Sequence, residues 1–99
     1  MPYHHYKVTP TLEIGGTLPW GFDALAAREW LTEKLLIVSP EGNRYRLDQT
    51  FWLGGKHLTM RHVREHLQGF RMTIPPDVVD TGVEVVFDFE VREEPNGHR

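Results

Sequence analysis

At 99 residues the chain is long enough for one domain and one core, removing roughly two-thirds of its unfolded surface from water. Its 39% hydrophobic and 25% charged residues place it in the globular class, and the absence of cysteine excludes disulfides, thiolate metal sites and a thiol nucleophile. A formal charge of -3 marks neither a nucleic-acid binder nor an acidic DNA mimic, and no basic-then-apolar leader or long apolar run is readable, so the expectation is a cytoplasmic protein without membrane partners.

In chain order, YHHYKVTPTLEIGG is rich in β-branched and aromatic residues and reads as a first strand, edged or interrupted at Pro10. Asp23 is a good N-cap for the helix ALAAREWLTEKLL, in which Ala24, Ala27, Trp30, Leu31 and Leu35 form one apolar stripe. LLIVSP is a short apolar strand, and SPEGNR supplies the Pro, Gly and Asn of a hairpin turn. Its second arm, RYRLDQTFWLGG, alternates as one third strand: Tyr45, Leu47, Gln49, Phe51 and Leu53 share one face, and Arg44, Arg46, Asp48, Thr50 and Trp52 the other.

Thr59 caps a second helix with the stripe Met60, Val63, Leu67 and Phe70. Pro75-Pro76 force a loop, and VEVVFDFEV alternates as the last strand. Residues 93–99 are expected as a flexible tail of a single domain, 1–99. The order β-α-β-β-α-β is that of a ferredoxin-like α+β sandwich; the alternative is a five-stranded α+β fold in which residues 3–14 form their own hairpin around Pro10.

Within the second helix, HVREH (His62 to His66) puts two imidazoles one turn apart with Glu65 between them. The five residues resemble the H-x-x-E-H motif of inverzincin peptidases, a resemblance that implies zinc held by His62 and His66, Glu65 as general base and a downstream Glu as third ligand. His57 could complete a three-histidine site if the Gly54-Gly55 loop folds back. On a helical wheel, however, His62 lies roughly 120° and His66 roughly 80° from the apolar stripe, which reads as solvated surface histidines.

No phosphate-binding Gly loop and no serine-nucleophile elbow is present. Arg44 and Arg46 beside Trp52 could hold nucleic acid on an open sheet, helped by Arg61, Arg64 and Arg71, but Asp48 breaks the stripe and the last strand presents Glu84, Asp88 and Glu90. Opposite charges on one sheet are expected to pair across strands. Trp20 in the LPWGF loop, and Trp52 with Val86 on the outer sheet face, are the residues expected to anchor a protein interface. The first expectation is therefore a non-catalytic module that self-associates, as a homodimer, or docks on a protein partner through Trp20, Trp52, Arg44, Arg46 and Val86, with no cofactor. The alternatives are a His57, His62 and His66 zinc protein, hydrolytic in one version, and a nucleic-acid-binding domain.

Overall fold

A computed structural model describes residues 3–19 and 21–94. The elements are β1 (His4–Gly16), α1 (Ala24–Lys34), β2 (Leu36–Val38), β3 (Arg44–Arg46), β4 (Phe51–Gly55), α2 (Met60–Leu67), β5 (Arg71–Thr73), α3 (Pro76–Val79) and β6 (Val83–Glu94). They make a small α+β domain with two antiparallel three-stranded sheets. Sheet A has the order β4-β1-β6 and sheet B the order β3-β2-β5. This corrects the ferredoxin-like expectation, in which all strands share one sheet.

The cause of the difference is local. Gln49 turns the chain after β3: its N–H donates to the Arg46 carbonyl at 3.1 Å and its side-chain oxygen accepts the Arg46 N–H at 3.3 Å. The stretch from Arg44 to Gly55, read as one strand, is thereby cut into β3 and β4, which join different sheets. The N-terminal hairpin alternative is also corrected, because β1 runs unbroken through Pro10.

Proline fits there because of how the ladders overlap. β4 pairs with β1 only from His4 to Val8, so from Thr9 onward one edge of β1 carries no strand. Pro10 faces Phe89 of β6. A proline without an N–H is accommodated when that pair is of the kind that exchanges no hydrogen bonds, with its nitrogen toward the open edge. Two contacts fix the same phase. The Phe89 N–H is taken by the Asp88 carboxylate at 2.8 Å, and two residues along β1 the Leu12 carbonyl accepts from Arg28 of α1 at 3.0 Å. Each group would be engaged in the β1–β6 ladder if the phase were reversed.

Both expected caps are in place: Asp23 accepts the Ala26 N–H at 2.8 Å, and Thr59 the His62 N–H at 3.2 Å. α1 buries Ala27 and Leu31, and α2 buries Val63 and Leu67, against the inner faces of both sheets. Tyr6, Val8 and Leu12 of β1, Ile37 of β2, Phe51 of β4, Phe70 and Val78 complete one shared core. Leu31, Leu35, Ile37, Val8, Val63 and Val78 are fully buried, and each such side chain contributes roughly 1.5–3 kcal/mol. Beyond β4 the β1–β6 pair continues alone to Gly16 and Val83, stretching the molecule to 54 × 26 × 18 Å. Glu93 and Glu94, expected in the tail, belong to β6 and pair with Tyr6 and His5.

Candidate interaction surfaces

The register of sheet A assigns its outer face row by row. Gly54, His5 and Glu94 form one row and Trp52, Lys7 and Arg92 the next. On the two-stranded extension follow Thr9 and Glu90, Thr11 and Asp88, Glu13 and Val86, and Gly15 and Glu84. Trp52 is 53% exposed and Val86 63% exposed, whereas the alternating inner residues of β6 pack against the core. No described element lies over this face.

Trp52 and Val86 share the face but not a patch. Their β1 partners, Lys7 and Glu13, are six residues apart, roughly 20 Å along a strand. At the Trp52 end Tyr3 lies across Gly54, where an added Cβ would come within 2.7 Å of the Tyr3 ring, and Tyr3 packs edge-on against His5 at 4.8 Å. Tyr3 and His5 thus form an aromatic pair over Gly54, one row from Trp52, that the sequence alone does not show; only the β1–β4 register brings Tyr3 toward Gly54.

Arg44 and Arg46 stand elsewhere. They lie on β3, in sheet B, and the outer rows of that sheet are Arg44, Val38 and Arg71, then Arg46, Leu36 and Thr73. Ile37 is fully buried on the inner face, and Leu36 and Val38 are half-buried between flanking arginines. The cross-strand pairing expected between these arginines and the acidic residues of the last strand therefore does not occur. Arg46 pairs locally with Asp48 at 3.3 Å, and Arg71 donates to the carbonyls of Gln68 and Phe70. Among the described residues Glu13, Glu84, Asp88 and Glu90 have no ion-pair partner within 4.0 Å.

The histidines of HVREH sit on α2 as the helical wheel placed them, His62 exposed and His66 half-buried. The His66 ring stands edge-on to Phe70 at 5.5 Å, with Nε2 3.9 Å from a Glu41 carboxylate oxygen. His57 is exposed in the turn after β4. Among the described residues no group of three or more His, Asp or Glu side chains is arranged to hold a metal ion, so the structure does not bring His57, His62 and His66 together with a common centre. Glu65 is held by Arg61 at 3.4 Å. A pair unseen in the sequence is His4 Nδ1 with Glu93 at 2.7 Å, on the inner side of β1 and β6. Beside it, burial and then the Glu93 carboxylate push the Tyr6 phenol above its ordinary range, and its hydroxyl donates to the Leu58 carbonyl at 3.0 Å. Trp20 lies outside the described residues.

Among the described residues no helix is long and apolar enough to cross a membrane. Comparison with protein-family models, curated proteins and solved structures finds no match to this chain.

Proposed function

We propose that the protein is a small non-catalytic interaction module that acts by self-association or by docking on a protein partner through its uncovered sheet faces. The observation that carries the reading is Trp52. A strand that buries Phe51 turns the next residue, the largest side chain available, out onto an uncovered face at 53% exposure, across from Lys7 and one row from the Tyr3–Gly54 contact. Tryptophan left in water gives up the burial that makes it valuable in a core, and it is the residue type most enriched among those that anchor protein interfaces.

The test is a photo-crosslinking residue at Thr11, exposed on the same face, in cells producing the full chain. The expected result is a discrete adduct, with itself or with one identified protein, that is lost in Trp52→Glu. Absence of any adduct, or adducts indifferent to Trp52→Glu, overturns the reading.

A further inference from the structure

We infer that the outer face of sheet A, at its Val86 end and apart from Trp52, docks on the outer face of sheet B of a second copy of this chain, a proposal that rests on the reading above only in that it takes the uncovered sheet faces as protein-binding surfaces. The two faces are opposite in charge. On the β1–β6 extension three carboxylates, Glu13, Glu84 and Asp88, flank exposed Val86 and Glu90 follows one row beyond Asp88, with no cation in these four rows; Arg64 of α2 lines a pocket with Asp88 at the β6 edge but makes no ion pair with it within 4.0 Å. On sheet B three guanidiniums, Arg44, Arg46 and Arg71, surround Leu36 and Val38 without a carboxylate in the two rows. The carbonyls that hold Arg71 position it without neutralising it, and Arg46 alone is shared, with Asp48. The inner sides of both sheets pack on one core, so their outer faces turn away from each other and the charges cannot meet within one chain.

The spacing also matches. Glu84 and Asp88 flank Val86 along a strand and are about 13 Å apart; Arg44 and Arg71 flank Val38 across three strands and are about 10 Å apart. Setting Val86 on Val38 with β6 crossing β2 near a right angle brings each carboxylate within reach of a flexible arginine. The alternative of self-pairing through the open edge of β6 is disfavoured. The Val83 N–H is taken by Thr81 Oγ1 and the Phe89 N–H by Asp88, both guards against strand addition, and antiparallel pairing of two such strands would set an acidic face against another. The outer face of sheet B measures only about 10 by 15 Å, well under a standard interface, so association is weak and salt-sensitive.

Charge reversal tests this. Wild-type protein, a Glu84→Lys, Glu90→Lys variant and an Arg44→Glu, Arg46→Glu variant, each shown folded by circular dichroism, are followed by light scattering as concentration rises. The expected result is concentration-dependent association of the wild type, weakening of roughly tenfold or more in either variant alone, and recovery when the two variants are mixed. A monomeric wild type, variants that associate as the wild type does, or no recovery on mixing overturns the proposal. So does co-purifying nucleic acid released by the Arg44→Glu, Arg46→Glu change. If the wild type is monomeric while the Thr11 probe captures a different protein, the second-copy inference fails and the interaction reading stands; if neither associates nor captures, both fail.

Discussion

Arg28 of α1 donates a guanidinium N–H to the carbonyl oxygen of Leu12 at 3.0 Å, closing from a helix the strand edge that β4 leaves open. A charged donor on a partly buried carbonyl is worth roughly 1.5–3 kcal/mol in a closed site and less where water competes. Arg28→Ala is expected to lower stability by about 1 kcal/mol, read from the denaturant midpoint at unchanged slope.

The guard on the other edge has a local readout. Asp88→Ala is expected to speed amide hydrogen exchange at Phe89 while leaving exchange at Leu31, in the buried part of α1, unchanged. Equal acceleration at both would mean that Asp88 acts on global stability instead.

Core and surface roles separate by magnitude. Leu31→Ala removes a fully buried side chain and is expected to cost about 2–5 kcal/mol; Val78→Ala, on α3, about 2 kcal/mol. Trp52→Ala, half exposed on an uncovered face, is expected to stay within about 1 kcal/mol of wild type. Chemical denaturation of the three variants checks the order.

Asp77 and Tyr6 each contribute to the pH response. The Lys34 hydrogen bond holds the Asp77 carboxyl below its ordinary 3.8. A lowered folded pKa contributes stability that is present above about pH 3.8 and lost as pH falls through the folded value. Asp77→Asn is expected to lower the melting temperature near neutrality and to match wild type in strong acid. Tyr6 is raised above 10.0 by burial and then by Glu93, so its contribution is intact below 10.0 and is lost as pH rises through the folded pKa. Phenolate absorbance should show a tyrosine titrating above 10.0 that is lost in Tyr6→Phe, and Tyr6→Phe should flatten the alkaline loss of stability.

Local signals in the sequence are sufficient for α1 and α2. Asp23 and Thr59 cap as their side chains dictate, and the stripes of α1 and α2 face the core except at Ala24, which is exposed in the first turn of α1. Alternation alone could not show that Gln49 turns the chain, because a turn between two alternating runs preserves their apparent phase. Pairing between distant strands is equally invisible, so Arg71 and Arg44 could not be seen to flank Val38, nor Glu13 to stand beside Val86. β5 and α3 were missed because each is very short. For α3 a start signal existed: Pro76 stands at the first helical position after an extended Pro75, with Asp77 in the first turn.

Sedimentation of the wild-type full chain, from about 1 μM to several hundred micromolar and at low and high salt, tests the central claim most directly. The account predicts a mass that climbs above 11.5 kDa with concentration and falls back when salt is added. A single 11.5 kDa species at every concentration and salt would contradict it.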